Sequence, residues 1–91
     1  MDFNIDFSKI DRLEMRDLNI SDQEVKSVFD NENSFVKEFP NFTLLLGFSA
    51  KRKFIKIAYQ VSKNLNFDVE ALQIDLPYEE DVKQYWCESQ R

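Results

Sequence analysis

Between Phe42 and Leu76 the chain spells three strands in succession, and this run governs what the rest can become. Phe42-Thr43-Leu44-Leu45-Leu46-Gly47-Phe48 is apolar on both faces, as a strand inside a sheet must be. The polar turn Ser49-Ala50-Lys51-Arg52 follows. Phe54 to Val61 then alternates, with Ile55, Ile57, Tyr59 and Val61 on one face and Phe54, Lys56, Ala58 and Gln60 on the other. Ser62 to Asn66 is a second turn. From Phe67 to Leu76 the alternation predicts Leu72, Ile74 and Leu76 on one face and Ala71, Gln73 and Asp75 on the other. Turns this short join antiparallel neighbours, so the run reads as a meander. Ser34 to Phe39 adds a shorter strand in front, ending at Pro40.

The flanks read as helices. Ser8 resembles an N-cap with Asp11 three residues on, and Phe7, Ile10 and Leu13 keep helical spacing, which predicts a helix over Lys9 to Asp17. The strongest start signal is the capping box Ser21-Asp22-Gln23-Glu24, with Ile20 and Val25 as its hydrophobic staple. Val25, Val28 and Phe29 mark that helix's apolar face, and Asn31 and Asn33 end it. Pro77 suits a first helical position, and Glu79, Glu80 and Asp81 suit the positive end of a helix dipole. Tyr78, Val82, Tyr85 and Trp86 then form an apolar stripe. Phe3 and Ile5, alternating with acids and Asn, predict a short opening strand. The resulting order, β-α-α-β-β-β-β-α, is that of a small α+β domain: an antiparallel meander with packed helices.

Ninety-one residues make one domain, residues 1–91, and nine Phe, three Tyr and one Trp supply its core. One Gly and two Pro argue against disorder and against a turn-rich barrel. No stretch reaches eighteen apolar residues and no basic leader opens the chain, so we expect no membrane span and a cytoplasmic location. A single cysteine, Cys87, excludes an internal disulfide and suits a reducing compartment, while leaving open a homodimer bridged through it.

Chemistry is bounded by the absence of histidine. Histidine-dependent triads and histidine-based metal sites are excluded, and one cysteine excludes a cysteine-only zinc site. We expect no cofactor and no metal. Net charge is −5, against a general nucleic-acid binder, but its distribution is uneven. Lys37 to Lys63 carries six basic residues and one acid, between two segments dominated by acids.

Several local patterns resemble the BrnT-type toxins of bacterial toxin–antitoxin pairs, which have a RelE-like ribonuclease fold. Phe3, Ile5 and Asp6 match that family's opening strand, and Lys9 its lysine. Ile20-Ser21 match its Ile-Ser, Glu24, Val28, Phe29 and Asp30 its second helix, and Leu46-Gly47 its Leu-Gly pair. Arg52 to Tyr59 match the basic, alternating strand that follows. The departures fall where chemistry would be. The family's histidine before Gly-Ile-Ser is replaced in the Leu18-Asn19 region. Its last strand ends in Ile-Ser-Ala-Arg before a basic helix. Here Ile74-Asp75-Leu76-Pro77 and Tyr78-Glu79-Glu80-Asp81 stand instead. The resemblance implies a toxin-fold protein that has lost its catalytic set and acts by binding RNA or a protein partner, such as an antitoxin-like protein.

Two other functions compete with that expectation. An active, metal-independent endoribonuclease would use Lys9, Arg16, Lys56 and Tyr59 to position a 2′-hydroxyl and stabilise phosphorane charge. An acidic inhibitor or immunity protein would use the acidic flanks. The predicted nucleic-acid contacts are Lys51, Arg52, Lys53 and Lys56, whose bland alternative is a charged turn that keeps strand edges soluble. The predicted partner contacts are Tyr85, Trp86, Glu79 and Glu80. Core packing for the aromatics and dipole complement for the acids are the corresponding alternatives.

Overall fold

The three strand patterns close into hairpins that leave little freedom for the flanking segments. The computed structural model describes residues 3–89. Its elements run β1 (Ile5–Asp6), α1 (Arg12–Asp17), α2 (Asp22–Asp30), β2 (Phe35–Glu38), β3 (Thr43–Phe48), β4 (Phe54–Val61), β5 (Val69–Asp75) and α3 (Glu79–Ser89). The sheet order is β1-β5-β4-β3-β2. β2 to β5 form the antiparallel meander, with Leu45 opposite Ile57 and Ile57 opposite Ile74. β1 departs from the expected pattern by joining the outer edge of β5 in parallel, which makes the sheet mixed. Asn4 and Asp68 fix this junction. The Asn4 N–H donates to Asp68 Oδ2 at 2.8 Å, and the Asp68 N–H donates to the Asn4 carbonyl at 2.8 Å.

The first helix starts later than the spacing predicts. Asp6 Oδ1 accepts the Ser8 N–H at 2.9 Å, and the Ile10 N–H bonds the Phe7 carbonyl at 3.0 Å. Residues 7–10 therefore turn instead of winding, because the Asp6 carboxylate competes for the local donors. Asp11, not Ser8, is the N-cap, accepting from Leu13 and Glu14. At its other end α1 closes with Ile20 N–H on the Met15 carbonyl and Asn19 N–H on the Arg16 carbonyl. This closure needs a left-handed residue, and Asn19 has φ 59°. The capping box on α2 forms as predicted, with both Ser21–Glu24 bonds present.

One sheet face carries Leu45, Ile55, Ile57, Ala71 and Ile74 against Met15, Val25 and Val28 of the first two helices. Ile55, Ile57, Val25 and Val28 are fully buried. Burial of such a side chain stabilises the fold by about 1.5–3 kcal/mol. Ala71 and Ile74 share this face against strict alternation. Ala58 pairs Gln73 while Tyr59 pairs Ala71, so Leu72 is an extra residue, and the bulge shifts the facing of everything before it. The expected grouping of Leu72, Ile74 and Leu76 on one face is thereby corrected. Val61, predicted to share the inner face, is 78% exposed at the strand's end.

The opposite face is only partly covered. Tyr85 of α3 sits between Phe48 and Phe54, with ring centroids 5.9 and 4.9 Å away. The only glycine, Gly47, lies beneath Ser34, whose hydroxyl would be 2.1 Å from any added Cβ. Among the described residues no helix is long and apolar enough to cross a membrane.

Candidate functional site

Strand alternation separates the four residues considered for catalysis. Lys56 lies on the α3 side of β4, where its ammonium meets Asp81 Oδ2 at 3.1 Å and sits 4.9 Å over the Tyr78 ring. The same carboxylate oxygen accepts the Tyr78 N–H at 2.9 Å, so Asp81 both opens α3 and holds Lys56. Tyr59 is on the other face, edge-on to Phe29 with centroids 5.0 Å apart. Burial raises its phenol pKa, with a further push from Glu38. This environment favours the neutral phenol over a phenolate base. Lys9 follows β1 and pairs with Glu70 at 2.7 Å. That hydrogen bond first, then one from Gln60, holds the Glu70 carboxyl below its usual value. Arg16 is on the exposed side of α1. The fold does not gather Lys9, Arg16, Lys56 and Tyr59: Lys56 and Tyr59 lie on opposite faces of the sheet, while Lys9 is paired beside β1 and Arg16 stands on α1.

The predicted basic hairpin also divides. The Ser49 N–H bonds the Lys53 carbonyl, and Arg52 takes φ 64° at the tip, a conformation that glycine ordinarily supplies. Ser49 Oγ donates to the buried Glu24 at 3.1 Å and accepts the N–H groups of Lys51 and Lys53. Ser27 Oγ accepts the Ala50 N–H at 2.8 Å. Lys53 reaches back to the end of α1, donating to the carbonyls of Leu18 at 2.9 Å and Asn19 at 2.7 Å. Lys53 is thus a structural cation and Lys56 is spent on Asp81. Only Lys51 and Arg52 project freely. Lys51 joins Arg16, thirty-five positions earlier, on the walls of an open cleft of about 360 Å³ that Asn19 also lines. No local pattern announces that meeting, because it depends on how the turn docks on α1.

Among the predicted partner contacts, Tyr85 is 5% exposed and unavailable as a surface residue. It is core, filling the space over Phe48 and Phe54. Trp86 is 48% exposed and packs beside Phe48 and Tyr85. Glu79 and Glu80 are exposed, and Glu79 makes a surface pair with Lys83 at 3.5 Å. Next to α3 the uncovered sheet forms a groove of about 520 Å³. Lys37, Phe39, Phe42, Leu44, Leu72 and Gln73 line it. Phe39 stacks on Phe42 at 4.9 Å, with the Lys37 ammonium 5.4 Å above Phe39. In the sequence Phe39 and Phe42 read as strand ends. The available signal was an aromatic on either side of Pro40-Asn41.

Among the described residues no group of three or more His, Cys, Asp or Glu side chains is placed to hold a metal ion. No family model matches the chain, and no curated protein matches it.

Proposed function

We propose that this chain is a divergent BrnT-type, RelE-like scaffold that binds its target rather than cutting RNA. The observation that carries this reading is the Lys56–Asp81 ion pair. In an RNA-cutting arrangement that ammonium would meet a phosphate oxygen. Here a carboxylate of the chain's own helix takes the place. The separation of Tyr59 from Lys56 by the thickness of the sheet supports the same conclusion. Two details support the scaffold assignment. Asn19 holds the left-handed position where the family pattern has glycine. Gly47, in the matched Leu-Gly pair, is required by the approach of Ser34.

Two ligand classes fit, each with its own surface. The groove beside α3 suits an apolar segment of a protein partner, antitoxin-like or a second copy. The cleft with Arg16 and Lys51 suits RNA. An acidic-inhibitor role has less support, because Glu70, Asp22, Asp81 and Glu79 are paired with this chain's own cations. We place the protein in the cytoplasm, a location in keeping with its exposed free Cys87.

Expression in bacteria tests the reading. Wild type and Asp81→Asn should both leave growth unaffected and cellular RNA intact. Growth arrest with RNA cleavage by wild type, both abolished in Lys56→Ala, would establish an active ribonuclease and end this proposal.

A further inference from the structure

Folding gathers uncompensated positive charge at one place in an acidic chain. Most described cations are satisfied internally. Lys9, Arg12, Lys56 and Lys83 have carboxylate partners, Lys53 has two carbonyls, and Lys37 lies over a ring. The side chains of Arg16, Lys26, Lys51, Arg52 and Lys63 make no ion pair or hydrogen bond to a described residue. Arg16 and Lys51 line the same cleft, and Arg52 is the next residue along the turn.

The acids of that cleft are already engaged. Asp22 is held by both terminal nitrogens of Arg12. Glu24 is 5% exposed and accepts from the Ser21 N–H at 3.2 Å and the Ser49 hydroxyl at 3.1 Å. Two like charges lining one cleft without a counter-ion repel each other, and an anion between them removes the repulsion. Arginine offers a planar fork that grips two oxygens of a phosphate, and lysine adds a second charge. Asn19, whose side chain carries an amide, also lines the cleft. Its backbone is held by the α1 closure and its carbonyl by Lys53, so the wall is preformed.

We propose that the cleft between the end of α1 and the β3–β4 turn binds a phosphate group through Arg16 and Lys51, assisted by Asn19. The phosphate belongs to an RNA backbone or to a small phosphorylated molecule. The RNA source rests on the binding function proposed above; the site itself does not.

Backbone-amide NMR with inorganic phosphate reads the site directly, and anisotropy of a fluorescein-labelled uridine 12-mer reads RNA. Phosphate should shift the amides of Asn19 and Lys51, and Arg16→Gln with Lys51→Gln should remove the shifts. The same double variant should weaken RNA binding at least tenfold and flatten its logarithmic salt slope by about 1.4, at about 0.7 for each lost single-strand phosphate contact. Lys26→Gln with Lys63→Gln, which removes the same charge elsewhere, should change RNA affinity less than twofold. Phosphate shifts without RNA binding would keep the cleft, assign it to small phosphorylated ligands and remove the RNA reading. RNA binding that survives Arg16→Gln with Lys51→Gln, or that falls equally in both double variants, would overturn the cleft as its phosphate site and leave RNA binding standing. No phosphate shift and no RNA binding would end both. Far-UV circular dichroism on each variant separates a lost site from a lost fold.

Discussion

A methyl group on Gly47 would sit 2.1 Å from Ser34 Oγ and 2.9 Å from its Cβ. Ser34 cannot easily retreat, because its hydroxyl donates to the Val28 carbonyl at 2.7 Å. Gly47→Ala should therefore destabilise the fold by about 1–3 kcal/mol, the usual range for overpacking, measured by urea denaturation. Adding Ser34→Gly should recover part of that loss, and a strictly additive double variant would show that the two residues do not meet. Tyr59 offers a second measurement at this scale. Burial raises its pKa, so its phenol should ionise above the ordinary value of about 10 in an ultraviolet titration. The fold favours the protonated form. Its contribution to stability is complete below the unfolded pKa and is lost as pH rises through the folded one. Titration at the ordinary value would mean that the ring is not packed on Phe29. A pattern match could mark Gly47 as a glycine position, but the reason for it is a serine thirteen residues earlier, invisible to any local window.

The hairpin between β3 and β4 is joined to α2 through Ser49, Glu24 and Ser27. Ser49→Ala removes the donor to a buried carboxylate oxygen and the acceptor for two backbone N–H groups. The expected loss is about 1–3 kcal/mol of unfolding free energy in urea denaturation, the cost of leaving a buried polar group unpaired. A loss below about 0.5 kcal/mol would show that water substitutes freely at this junction. This element also marks where sequence reading succeeds and fails. The Ser21–Glu24 capping box is legible because both of its bonds lie within four residues. The element order and the β4 boundaries are legible because periodicity reports which face is buried. The start of α1 is not, because both Ser8 and Asp11 have the chemistry of an N-cap, and the turn that Asp6 makes with the Ser8 N–H leaves the role to Asp11. The bulge at Leu72 is not, because register is set across strands. The site suffers from the same limit. Lys51, Arg52, Lys53 and Lys56 look like one patch because they are neighbours in sequence, yet their ammonium and guanidinium groups serve three different ends.

Across the whole molecule, acid should cost stability where β1 meets β5, at a pH below the ordinary carboxylate range. Asp6 and Glu70 are register partners in that ladder, so two carboxylates face each other there. Asp6 has a lowered pKa, chiefly from the Ser8 backbone N–H, and Glu70 has one chiefly from its bond to Lys9. Groups with depressed pKa values stabilise the fold above the ordinary carboxylate range, and that contribution is lost as pH falls through their folded values. Thermal midpoints should hold steady from pH 7 to 5 and drop below about pH 4, with a smaller drop in Glu70→Gln. An unchanged acid profile in Glu70→Gln would show that Glu70 contributes nothing to it. The β1–β5 junction also has a consequence for how the molecule is made. On a ribosome β1 emerges well before its partner, because Val69 follows Ile5 by sixty-four residues. The apolar sides of α1 and α2 likewise appear before Ile55 and Ile57, which cover them. The nascent chain must carry a bare helical face until β4 has been translated and an unpaired strand until β5 has. A stall anywhere before β5 would strand a sticky intermediate whose first strand still lacks the edge that pairs it.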